Sequence, residues 1–181
     1  MHHTPKLALL FLMAIAIAIP SAFAGEQERK PVRSLLEIRQ EGVIVQKWET
    51  SCAAAALATV LTFSQNDPVT EKFVARRMLR STDPIKVKVR GGFSLLDMKR
   101  FVETRGFRGT GYKGLKFEEL LTLPNPIVPI DFYGNAHFVV VRSLDPAGRV
   151  DLADPGFGNT SMSTEDFQSV WKSGMGFVVS R

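Results

Sequence analysis

Histidine and cysteine are nearly missing from this chain, which has three of the first and one of the second in 181 residues. His2 and His3 stand at the extreme N-terminus, so the body of the chain holds one imidazole, His137, and one thiol, Cys52. That scarcity excludes a disulfide framework and an ordinary zinc site, and the carboxylates show no ligand spacing, so no metal or cofactor is implied. Charge of one sign is also sparse: 23 basic residues stand against 18 acidic ones. Arg76, Arg77, Arg80, Lys86, Lys88 and Arg90 are scattered among apolar positions as on solvated faces. A dense basic patch with interleaved aromatics is lacking, which argues against nucleic-acid binding. Internal repeats and low-complexity linkers are absent too, so nothing divides the chain into several domains.

No apolar run reaches the roughly 20 residues of a membrane span. The longest, Leu7 to Ile19, follows a weakly basic start and ends at Pro20, then Ser21-Ala22-Phe23-Ala24. This order is that of a secretory signal peptide with Ala22-Phe23-Ala24 as its cleavage site, and an uncleaved anchor is the alternative. Residues 1–24 are thus expected to be removed, leaving 25–181 as one exported domain that begins at Gly25, with a formal charge of 22 minus 18, or +4. The periplasm is the expected address and the extracellular space the alternative, with no stable membrane insertion after cleavage. An unpaired cysteine in an exported protein is either intermolecular or a free thiol with a use.

Cys52 opens an alanine-rich segment, Ala53 to Leu61, with the propensity of a helix buried on most sides, and Glu49, Thr50 and Ser51 supply capping and charge chemistry before it. A thiol at a helix start faces unpaired N–H groups and the positive end of the dipole, which favour the thiolate. Further along, Val69 to Leu79 reads as an amphipathic helix with Phe73, Val74 and Met78 inward. Ser81 to Arg90 reads as a loop with an extended piece at Ile85–Val89, and Gly91-Gly92 as a turn. Ser94 and Asp97 form a capping box for a helix through about Thr104, ended by Gly106. Phe117 to Leu121 is another short helix, and Pro124, Pro126 and Pro129 impose an extended approach to the next segment.

The second half changes period. Ala136 to Val141 and Arg149 to Asp154 are strands joined by the turn Asp145-Pro146-Ala147-Gly148. A four-residue turn sets Leu144 opposite Arg149 and Val139 opposite Asp154. His137 shares a face with Val139, so Asp154 lies diagonally across from the imidazole, within reach. The same counting places Asp151 opposite Arg142 on the other face. A thiol, an imidazole and a carboxylate then make a set of nucleophile, base and orienter, with Asn135 the fallback orienter.

Four blocks occur together: Gln46 six positions before Cys52 and its alanine-rich helix; His137-Phe138-Val139-Val140-Val141; Val150-x-Leu152-x-Asp154-Pro155-x-x-Gly158; and Met162-Ser163-x-Glu165-x-Phe167-x-x-x-Trp171. In this order they resemble the C39 family of cysteine peptidases, the bacteriocin-processing, double-glycine leader peptidases. The likeness runs over most of residues 40 to 175. It implies a papain-like α+β fold, in which an N-terminal helical half carries the Cys helix and packs on a C-terminal antiparallel sheet that carries the His and Asp. It also implies that Cys52 is the nucleophile, His137 the general base, Asp154 its orienter and Gln46 the side-chain donor of the oxyanion hole. Ser51 and Ala53 depart from the acidic residue and glycine that commonly flank the family's cysteine. With no transporter or ATPase following, a stand-alone exported member is expected.

The expected activity is endopeptidase cleavage of an exported polypeptide after a Gly-Gly-like site. Trp48 would narrow the approach, and an upstream helical leader would supply affinity. The partner would be a secreted or surface-fibre protein or its export machinery. The alternative is a non-catalytic accessory or chaperone module that holds a segment without cutting it.

Overall fold

The computed structural model describes residues 32–181, and the expected leader, residues 1–24, lies outside them. The helices are α1 (Leu35–Arg39), α2 (Cys52–Phe63), α3 (Glu71–Leu79), α4 (Pro84–Arg90), α5 (Leu95–Glu103), α6 (Phe117–Leu121) and α7 (Thr164–Val170). The strands are β1 (Arg108–Tyr112), β2 (Ile127–Phe132), β3 (Asn135–Leu144), β4 (Arg149–Asp154), β5 (Gly158–Ser163) and β6 (Gly176–Ser180). They form one sheet in the order β1-β6-β2-β3-β4-β5, with every neighbouring pair antiparallel. This is the expected α+β arrangement, with α1 to α5 ahead of the sheet and α6 and α7 set between its strands.

Helix α2 is apolar all round and is therefore an interior helix. Cys52 through Leu61 are all buried. It packs on one face of the sheet with Phe138, Val140 and Ala153, while Val139, Val141, Val150 and Leu152 face the opposite side under Leu120, Phe167 and Trp171. With both faces covered, β3 and β4 read as nearly continuous apolar runs rather than alternating ones.

Helix α5 begins with the capping box that Ser94 and Asp97 predict. The extended piece expected at Ile85–Val89 is instead α4. Asp83 caps that helix through Ile85 N–H, Pro84 opens it, and Gly91 closes it in the left-handed region at φ 76°. These end signals outweigh the alternating valines between them. Phe73, expected inward, is half exposed, packs edge-on against Phe101 and lies under the Arg105 guanidinium. Glu71, Val74 and Met78 form the buried stripe of α3. Ser51 makes no capping bond to α2.

The β3–β4 hairpin differs from paper counting in an instructive way. Asp145 N–H donates to Arg149 O at 2.8 Å, and Gly148 takes φ 76°, so the turn holds three residues rather than four. Leu144 therefore faces Val150, not Arg149, and Asp151 faces Ser143, not Arg142. A bulge between Val141 and Ser143 absorbs the extra residue and restores the counted register beyond it, where Val140 pairs with Ala153. Two one-residue departures cancel before the strands reach His137 and Asp154.

Candidate active site

Three elements converge on Cys52. The thiol is the first residue of α2, and the His137 ring and the backbone N–H groups of Phe138 and Ala53 stand close enough to its sulfur to favour the thiolate. His137 sits near the start of β3, and its Nε2–H donates to Asp154 Oδ1 at 2.7 Å at the end of β4. With Nε2 engaged by the carboxylate, Nδ1 is the ring atom left for the thiol. Asp154 Oδ1 also accepts the Gly156 N–H at 2.7 Å, which fixes the carboxylate in the turn after β4. Cys52 and Asp154 are buried and His137 is nearly so, so these contacts form out of bulk water.

Electrostatics follow from this geometry. Burial pushes the Cys52 thiol up, but the His137 hydrogen bond and the backbone N–H groups of Phe138 and Ala53 outweigh it, and its pKa falls below the ordinary value. Burial also disfavours a charged His137. The hydrogen bonds to Asp154 and then to Cys52, with the charges behind them, overcome that effect and raise the imidazole from 6.5 to about 9. Both shifts favour a thiolate beside an imidazolium, the reactive form of a cysteine nucleophile.

Gln46 and Trp48 lie in the segment that leads into Cys52. Ile44 N–H donates to the buried Thr59 hydroxyl at 2.9 Å, and Gln46 N–H donates to Pro155 O at 2.8 Å, so this segment runs between α2 and the turn after Asp154. Gln46 Nε2 donates to Trp48 O at 2.9 Å. Turning the amide over would set two acceptors against each other, so Nε2 is fixed on that side, while Oε1 is buried without a partner. The Trp48 side chain is 47% exposed. Asn135 uses its amide on Tyr133 O at 3.4 Å, within the β2–β3 turn.

Glu71, which sequence reasoning missed, is the brace of this segment. Its buried Oε1 accepts Lys47 N–H at 2.9 Å and lies 2.5 Å from the Ser51 hydroxyl, whose proton is shared with Trp48 O at 2.6 Å. One carboxylate on α3 thus ties both ends of the stretch between Gln46 and Cys52. An acid in register with Val74 and Met78, at spacings of three and seven, was the available signal.

Residues 40–181 match the model of the peptidase C39 family. A probable functional amyloid protease FapD of Pseudomonas fluorescens is 38% identical over 90% of this chain and 71% of its own length. Its counterpart in Pseudomonas aeruginosa is 36% identical over 96% and 77%. Among solved structures, a double glycine motif protease from an AMS/PCAT transporter, in complex with the leader peptide, superposes with a TM-score of 0.62 at 23% identity, covering 76% of this chain and 89% of that one. The peptidase domain of Streptococcus ComA superposes with a TM-score of 0.61 at 21% identity, covering 76% and 96%. These two show a shared fold.

Proposed function

This chain belongs to the peptidase C39 family and is a cysteine peptidase acting on a polypeptide, and from that premise we propose that Cys52, His137 and Asp154 are its catalytic triad. The observation that carries the reading is the continuous chain of contacts from the Cys52 thiol through the His137 ring to Asp154 Oδ1, 2.7 Å from Nε2. Imidazolium formation leaves a thiolate that attacks the scissile carbonyl, forming the S–C bond as the π electrons move to oxygen. Gln46 Nε2, whose contact to Glu49 O is a long one at 3.5 Å and can be exchanged, and the Cys52 N–H at the start of α2 donate to that oxyanion. Collapse breaks the C–N bond, the leaving nitrogen takes its proton from His137, and water then releases the acyl group. Asp154 holds the ring so that Nδ1 faces sulfur throughout.

The substrate in this reading is an exported polypeptide cut after a Gly-Gly-like pair, with Trp48 narrowing the approach to the thiol and an upstream segment supplying affinity. Similarity to proteases named for functional amyloid points to a surface-fibre protein or a component of its export. The leader composition of residues 1–24 supports export to the periplasm with Gly25 as the first mature residue, which the intact mass of the exported protein tests. The decisive experiment incubates the protein, and its Cys52→Ala variant, with co-exported candidate polypeptides and reads cut sites by mass spectrometry. A cut after Gly-Gly or Gly-Ala that vanishes in the variant is expected. Cleavage indifferent to leucine in those two positions overturns the double-glycine specificity, and binding without any cleavage favours a holding module.

A further inference from the structure

His137 has an aromatic neighbourhood that the triad does not use. The Phe132 ring lies 5.8 Å from the imidazole, centroid to centroid, tilted at 48°. Phe157 lies 5.6 Å from Phe132, and Tyr133 meets Phe132 edge-on at 4.9 Å. All three are on the surface, with Phe132 at 39%, Phe157 at 53% and Tyr133 at 91% exposure. Core packing therefore does not account for them. Tyr133 is further held at φ 50° beside Gly134 at φ 82°, in a two-residue turn whose first position suits Asn, Asp or Gly. That turn holds Tyr133 against the outer edge of Phe132, the ring that faces His137.

Resting on the peptidase reading above, we propose that Phe132 and Phe157 form a subsite for an aliphatic or aromatic side chain immediately after the scissile bond. The chemistry fixes which part of the substrate this is. His137 protonates the leaving nitrogen, so that atom must come within about 3 Å of the imidazole. The next Cα is one bond of about 1.5 Å further on. The residue it belongs to must therefore leave past His137, where Phe132 covers the ring and Phe157 extends the apolar surface. The carbonyl oxygen of the residue before the bond is directed instead toward the Gln46 and Cys52 N–H groups, and that residue's own Cα leaves the reacting carbon on a different bond from the nitrogen. The glycines ahead of the cut and an apolar residue behind it are thus separate requirements, met by opposite sides of the site.

The test compares two peptides that share a natural upstream segment and Gly-Gly, and differ only in Leu or Ser after the cut. The wild type is expected to show kcat/KM about tenfold higher for Leu, as partial burial of one aliphatic side chain provides. Phe157→Ala, which removes the ring packed 5.6 Å from Phe132, should bring the Leu-to-Ser ratio to within about twofold of unity. Tyr133→Asn, suited to the turn, should leave the ratio in place. A wild type without preference, or a preference that survives in Phe157→Ala, overturns the subsite while leaving the peptidase intact. If neither peptide is cut, the double-glycine reading fails separately. The same pair is then titrated against Cys52→Ala, where equal affinities, or a Leu preference indifferent to Phe157→Ala, overturn the subsite, and a Leu preference lost in Cys52→Ala/Phe157→Ala upholds it.

Discussion

Replacing Asp154 with asparagine should change the charge state of the site more than its shape. The amide oxygen can still accept Nε2–H, but the negative charge that favours imidazolium is gone. In the wild type His137 stands at about 9 rather than 6.5, and that gap corresponds to about 3 kcal/mol in favour of the charged ring. Burial acts against the charged form, and the Asp154 hydrogen bond is the largest influence opposing it, ahead of Cys52. Without the carboxylate, Cys52 alone opposes burial, and His137 should fall back toward the ordinary 6.5. The sign is that of a raised pKa: the ring is protonated up to about pH 9 in the wild type and only below about 6.5 in Asp154→Asn. At pH 8 the protonated fraction, and kcat/KM with it, should fall about thirtyfold. In the form spanning residues 25–181 His137 is the sole histidine, so a proton NMR titration follows its Cε1–H without assignment. The midpoint belongs to the Cys–His pair, so Cys52→Ala should be titrated in parallel and should shift it by less. A midpoint in Asp154→Asn within half a pH unit of the wild type, with activity retained, would refute the reasoning.

Cys52 should be alkylated with a midpoint below the ordinary thiol range of about 8.5, and Cys52→Ser should lose cleavage; an unshifted alkylation profile counts against a thiolate at the helix start. Asp151→Asn should keep kcat/KM within about twofold and stability within about 0.5 kcal/mol, because Asp151 only accepts the Ser143 hydroxyl at 2.8 Å on the turn side of the bulge. Glu71→Leu should lower kcat/KM and cost about 1–3 kcal/mol in chemical denaturation by leaving Lys47 N–H without an acceptor and Ser51 with Trp48 O alone, with the His137 titration unmoved. Gly158→Ala would force a side chain at φ 84° against Arg39 O, 2.5 Å from the new Cβ, and should lower the melting temperature by about 5 °C.

What the sequence made legible was local or one turn away. The Ser94–Asp97 capping box, the helix that follows Cys52 and the pairing of His137 with Asp154 all rest on signals within about 20 residues of each other. The pairing was found although the turn was misread, because the bulge at Arg142 offsets the shorter turn. Ile85–Val89 was misread because a seven-residue helix has too few positions to show its period, and only Asp83, Pro84 and Gly91 mark it. Strand β1, Arg-Gly-Thr-Gly-Tyr, has two glycines in five residues, which hide the strand signal of Thr110 and Tyr112. It exists because β6 pairs with it from about 70 residues away and because Gly109 lets the Phe177 ring close over it. Glu71 and the aromatic neighbours of His137 matter only through contacts that folding creates.

The bond from Gln46 N–H to Pro155 O joins the segment entering Cys52 to the turn leaving Asp154. The Asn159 amide continues the seam by holding Ile38 O and Glu41 O at 3.2 and 2.8 Å. An edge tied by these hydrogen bonds has no hinge there, so adaptation falls to the peptide, which must arrive already extended. Glycine's freedom of backbone makes that threading easy, and a chain locked into pleated layers cannot do it. Timing follows from this seam. A substrate would be open to cleavage only while its chain is extended and unpaired, and a segment already locked into folded or stacked layers would lie beyond its reach.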